Sequence, residues 1–157
     1  MRWVTRERPK IDRIACPWLI LRFIDREAEI LYVPTAEVLR TAREQAAEPF
    51  DVPGVELTHD GALCSFDAFL KKYRLADPAL GRLAGIVRAA DTDTLDRSAE
   101  APGLLAITLG LGANIRNDQA LLRAGLVIYD ALYSWCRSLT GERHGWYPEA
   151  ILEEIRP

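Results

Sequence analysis

The chain has 157 residues, about half apolar and about a quarter charged, with a net charge of −3 and a pI near 5.5. That length suits one domain, residues 1–157, with a core of its own and with 142–157 as a tail or arm. An acidic chain without a long basic stripe excludes nucleic acid as a partner, and the longest apolar run, Pro17 to Leu21, is too short to insert in a bilayer. No signal-peptide pattern opens the sequence, so the expected compartment is the cytoplasm. Cys16, Cys64 and Cys136 are odd in number and widely spaced, which fits reduced thiols there.

Arg2 to Thr5 reads as a short strand that Pro9 ends. A core helix follows, starting either at Asp12 or at Pro17, where Cys16 would be its N-cap. Ala28 to Val33 is a strand stopped by Pro34, and Thr35 caps a helix over Ala36 to Ala47. After a Pro/Gly loop, Val55 to His59 predicts a strand that turns at Asp60-Gly61 and returns over Ala62 to Cys64. Ser65 caps the next helix, and Asp77-Pro78 starts another. Asp91 to Pro102 reads as an acidic loop, Leu104 to Ala113 as a helix, and Asn117 or Asp118 as the cap of a long final helix that ends before Gly141. The fold class is α+β: a small β-sheet from the N-terminal third, packed with a predominantly helical remainder. Trp18 and Trp135 are expected in its core, and no glycine-rich nucleotide loop or flavin motif is present.

Charge is unevenly placed. Through Arg26, seven basic side chains stand against three acidic ones, a cationic end that suits an anionic ligand. Histidine is scarce: His144 lies in a polar turn, and His59 ends the predicted hairpin strand. Asp67 follows in the first turn of a helix, and the Asp91-Thr-Asp93 loop supplies another acid. One His and two carboxylates make an oxygen-rich set that suits Fe, Mn or Zn. The alternative is that His59 and Asp60 are turn residues and that Asp67 complements a helix dipole. Cys16 is either a helix-terminal thiolate near Arg13 or a small buried residue. Asp130, amid apolar neighbours, is either paired with Arg6 or Arg13 or a site carboxylate.

Four blocks, WVTRERPKIDRIACPWLILRFID, PFDVPGVELTHDGALCSFDAFL, LAGIVRAADTD and VIYDALYSWCR, resemble in this order the C-terminal domain of the ChrB-type chromate resistance proteins. The likeness covers roughly Trp3 to Arg137. It implies a role in handling chromate or a related oxyanion, with a chromate efflux transporter as functional partner. In larger members the domain follows a regulatory part that resembles winged-helix DNA binders; without that part, direct contact with DNA is not expected. His59, Asp67 and Asp91 fall on matching positions. Where many members read IVHDAD, this chain has Ile86-Val-Arg88-Ala-Ala-Asp91, so either an ion is held by fewer nitrogens or Arg88 stands in for a cation. Many members carry a small residue where Cys16 stands, so the resemblance implies no required nucleophile there.

The resulting expectation is a cytoplasmic accessory protein of chromate resistance, a stress response. It would bind a divalent transition metal at His59, Asp67 and Asp91, an oxyanion at Arg6, Arg13 and Arg88, or both, in support of chromate reduction or sensing. Asp12, Cys16 and Asp130 are further candidates, no residue is assigned as catalytic, and the sequence leaves open whether the protein is an enzyme. The alternative is a non-catalytic sensor or interaction module of a chromate-responsive regulatory system. An apolar tail with Trp146 and Tyr147 would suit a homo-oligomer.

Overall fold

A computed structural model describes residues 1–145. Strand β1 (Arg2–Arg6) leads into helix α1 (Asp12–Leu19), which continues as one wider π-type turn over Ile20–Ile24 and returns through β2 (Glu29–Val33). Helix α2 (Val38–Glu44) then connects to the two-residue strand β3 (Glu48–Pro49). The three strands are parallel in the order β2-β1-β3, with Val4 opposite Leu31 on one side and Pro49 on the other. Helices α3 (Ser65–Lys72), α4 (Pro78–Asp91), α5 (Ala101–Asn114) and α6 (Asp118–Ser134) complete the α+β fold.

Side-chain alternation explains how the sheet is covered. Trp3, Ile30 and Tyr32 point to one face and join the main core with Trp18, Phe66, Phe69 and Tyr129. Val4, Leu31 and Val33 point to the other and pack with Val38 of α2, Ala47 and Val52. Both faces of this parallel sheet are therefore buried. Helix α1 is the central element, with Ile14, Ala15, Cys16, Trp18 and Leu19 almost fully enclosed.

The first helix starts at Asp12, so Pro17 lies inside it and Cys16 is not its cap. Pro17 has no N–H to give to the carbonyl one turn back, on Arg13. The Tyr32 hydroxyl donates to that carbonyl instead, at 2.7 Å, which lets a proline sit within the helix. Asp77 and Asn117 cap α4 and α6 through their side chains, as the sequence suggests. Trp18 is fully buried, whereas Trp135 is partly buried against the core.

Three expectations are corrected. Val55 to His59 forms no strand: single bridges join Phe50 to Leu57 and Asp60 to Leu63 within an irregular segment. β3 ends at Pro49, which has no N–H for a ladder, and in the segment that follows Phe50, Val52, Leu57 and Cys64 are drawn into the core. Ser65 is the first helical residue of α3 and not its cap; the cap is Cys64, whose backbone N–H donates to Asp67. Asp91 is the last residue of α4 and not part of a loop. Most of the suggested tail, including Trp146 and Tyr147, lies outside the described residues.

Candidate metal centre

β1 connects through α1 to β2 on one side, and the chain then crosses to β3 on the other side of β1. The carboxyl ends of β1 and β3 therefore diverge at the point where strand order reverses, the place where open α/β sheets form ligand crevices. Arg6 ends β1, Asp12 opens α1, and Asp51 follows β3 by two residues. The irregular segment after β3 brings His59 over this crevice, and α4 ends there with Asp91.

His59 Nε2 lies 3.0 Å from Asp91 Oδ2 and 3.5 Å from both Asp12 Oδ2 and Asp51 Oδ1. Ligand atoms of Asp12, His59 and Asp91 all lie within 4.8 Å of one another. Atoms bound at about 2.1 Å to one ion stand about 3.0 Å apart on an octahedron and about 3.4 Å apart on a tetrahedron, so this spacing matches a coordination shell. Asp12 is 1% exposed. Its Oδ2 accepts from the Ser65 N–H at 2.6 Å, while Oδ1 is buried and has no hydrogen-bond partner. The oxygen that faces His59 is Oδ2, and the unpartnered Oδ1 leaves this buried carboxylate with acceptor capacity that a cation would satisfy. Asp91 also accepts from the Asp12 N–H, at 3.4 Å, and it sits at the negative end of the α4 dipole, which favours positive charge.

Protonation follows from this crowding. The hydrogen bond to Asp12 raises the His59 pKa to about 9, with the charges of Asp12, Asp91 and Asp51 adding to it. Burial, then the charges of Asp12 and Asp51, raise Asp91 to about 6. Burial likewise pushes Asp12 upward. Without a metal, a proton on His59 thus occupies the position that attracts a cation.

The other candidates are placed differently. Asp67 points to Arg88 in a two-pronged pair, at 2.8 and 2.5 Å, and is not in the trio around His59. Arg6 donates to Asp51 at 2.7 Å, and Arg13 stands 3.4 Å from the same oxygen. The three arginines expected to hold an anion are therefore each engaged with a carboxylate. Asp130 pairs with Arg22 and the Trp18 indole N–H, not with Arg6 or Arg13. Cys16 is fully buried, and burial together with the Asp12 charge raises its pKa well above the usual thiol range, against an activated thiolate. Asp51 did not emerge from the sequence reading, and Ser65 emerged only as a helix cap. The available signal for Asp51 was an acid set between Phe50 and Val52, two core residues.

The model of the "ChrB, C-terminal domain" family matches residues 3–136. The chain belongs to the ChrB C-terminal domain family. A curated relative, Protein ChrB of Cupriavidus metallidurans, is 36% identical over 133 residues, covering 84% of this chain and 40% of the relative. The ChrB-like chain thus spans well under half the length of that relative. No solved structure matches it. Among the described residues, no helix is long and apolar enough to cross a membrane.

Proposed function

We propose that this ChrB-family chain is a cytoplasmic accessory protein of chromate resistance that binds a divalent transition metal ion through Asp12, His59 and Asp91. The observation that carries this reading is the convergence of the three side chains with a buried, unpartnered Asp12 oxygen. Three protein ligands leave coordination positions open, the pattern of sites that bind or activate a further ligand and not of closed structural sites. One imidazole and two carboxylates, with Cys16 and Cys64 outside the trio, favour Mn, Fe or Zn over a soft thiolate metal.

The same arrangement supports a metal-dependent route for the oxyanion. Approaching the metal-free cluster, chromate would meet three carboxylates whose partners are His59, Arg6 and Arg13, so no positive charge is left over to hold it. With a divalent ion in place, the open positions become anion sites, so oxyanion binding is expected to depend on metal. This supports either sensing or chromate handling beside an efflux transporter.

The test is element-resolved analysis of the full chain purified without chelator or histidine tag, followed by thermal shifts with chromate, sulfate and phosphate. The expected result is one bound transition metal, lost in His59→Ala, and oxyanion shifts seen only with metal present. Wild-type protein that holds no transition metal when Mn²⁺, Fe²⁺ or Zn²⁺ is supplied would overturn this reading. Oxyanion shifts that persist without metal would favour the arginines as the anion site and a metal-independent sensor.

A further inference from the structure

We infer that Asp51 is the positioning residue of this site: through Ser65 it fixes the Asp12 carboxylate, and by holding Arg6 and Arg13 it keeps their charge from the ion. The inference rests on the metal reading above and goes beyond its ligand set. Asp51 is 4% exposed and has a left-handed backbone, φ 53°, which only a few residue types other than glycine adopt readily. Its N–H is tied to the Leu57 carbonyl at 2.8 Å, so the surrounding loop holds it in that conformation.

Every contact of its side chain faces the site. Oδ1 accepts the Ser65 hydroxyl at 2.7 Å. The same Ser65 donates its backbone N–H to Asp12 Oδ2 at 2.6 Å. One serine thus links the two aspartates, and its N–H holds Oδ2, the Asp12 oxygen that lies 3.5 Å from His59 Nε2. Oδ2 of Asp51 takes Arg6 at 2.7 Å and stands 3.4 Å from Arg13, whose side chain is 14% exposed.

That second contact decides the charge balance. Two guanidiniums this close to the crevice would repel a cation. With Asp51 present and His59 neutral, as a metal ligand must be, the carboxylates of Asp12, Asp51 and Asp91 outnumber the guanidiniums of Arg6 and Arg13. Without it they are equal in number, and the net attraction for a cation is gone. Asp51 lies outside the close trio, and both of its oxygens are held, Oδ1 by Ser65 and Oδ2 by Arg6.

The experiment uses the full chain with Zn²⁺ by calorimetry and Co²⁺ by visible absorption. Asp51→Asn is expected to weaken Zn²⁺ binding by about 10- to 100-fold, the usual effect of losing an outer-shell partner, and to change the Co²⁺ bands. Asp51→Glu should restore part of the affinity, and Asp118→Asn, another carboxylate paired with an arginine, should change neither readout. Ser65→Ala tests the link independently should Asp51→Asn fail to fold, and it is expected to lose at least about 10-fold. Folded Asp51→Asn or Ser65→Ala with wild-type affinity and Co²⁺ spectrum would overturn this inference and leave the metal site standing. Absence of binding by wild type would overturn both.

Discussion

His59 Nε2 and Asp91 Oδ2 stand 3.0 Å apart in a crowded cluster that holds both outside their ordinary titration ranges: the hydrogen bond to Asp12 raises His59, and burial raises Asp91. His59 titrates near 9 and Asp91 near 6, so both bind protons more tightly in the folded chain than in the unfolded one. By linkage, each then contributes stability at low pH that disappears as pH rises through its folded pKa. The His59 share is complete below about 6.5, the unfolded value, and is lost towards about 9. The Asp91 share is lost between 3.8 and about 6. Thermal melts of chelator-treated protein should therefore show Tm falling from pH 6.5 to 9, with His59→Gln flat over that range. A wild-type Tm that stays constant there would contradict the assigned His59 environment.

Metal loading should reverse this dependence. An ion bound at Nε2 must displace the proton that His59 keeps up to about 9. Zn²⁺ affinity is expected to rise about tenfold per pH unit between about 7 and 9, with about one proton released per ion. Calorimetry in buffers of different ionisation enthalpy measures that proton directly. Binding without proton release would exclude His59 as a ligand.

The two oxygens of Asp12 make separable predictions. Asp12→Asn keeps an acceptor for the Ser65 N–H but removes the charge, so it should abolish metal binding at a small cost in stability. Asp12→Ala leaves that buried N–H unpaired as well, which costs a further 1–3 kcal/mol or about that. Urea titrations of the two metal-free variants compare the stabilities, and elemental analysis compares the metal content. Equal metal content in wild type and Asp12→Asn would remove Asp12 from the site.

Asp67 and Arg88 should behave as a structural pair. Their contact is two-pronged, but Arg88 is 36% exposed, so solvent screening limits the loss in Asp67→Asn or Arg88→Met to about 1 kcal/mol. Both variants should keep their metal. Loss of metal from Asp67→Asn with the fold intact would instead bring Asp67 back as a ligand.

The sequence made much of this legible where local chemistry dominates. The β-rich run ended by Pro34, the Asp77-Pro78 helix start and the Asn117 cap are each decided within a few residues, and all appear in the fold. His59 and Asp91 were legible as chemistry-bearing residues, and the fold brings them together. Asp67 was attached to His59 by a hairpin of which only the single Asp60–Leu63 bridge forms, and Asp67 turns to Arg88 instead. Asp51 was not legible: its partners Arg6 and Ser65 are 45 and 14 residues away in sequence, and only the crossover between β1 and β3 joins them. The two readings of Cys16, helix-terminal thiolate or small buried residue, stayed open in the sequence because the device that allows Pro17 inside α1, and so makes Cys16 a buried residue, is a tyrosine hydroxyl from β2.

The helix pair α1–α6 that supports the crevice depends on one glycine. A Cβ added at Gly125 would lie 2.4 Å from Ile14 Cγ2, and Ile14 is 1% exposed on a β-branched side chain that has little room to turn. Glycine inside a helix normally costs up to about 1 kcal/mol relative to alanine, so Gly125→Ala would stabilise an isolated α6. In the folded chain the overpacking penalty of about 1–3 kcal/mol opposes this gain. The helix must move away from Ile14 because the clash involves the branched base of the side chain and not a flexible end. We therefore expect net destabilisation of about 1 kcal/mol or more in Gly125→Ala. Adding Ile14→Ala should recover part of that loss in a double-mutant cycle, since it removes the methyl that clashes. Denaturant titration of the four proteins measures the coupling, and strictly additive effects would show that α1 and α6 do not meet at this pair.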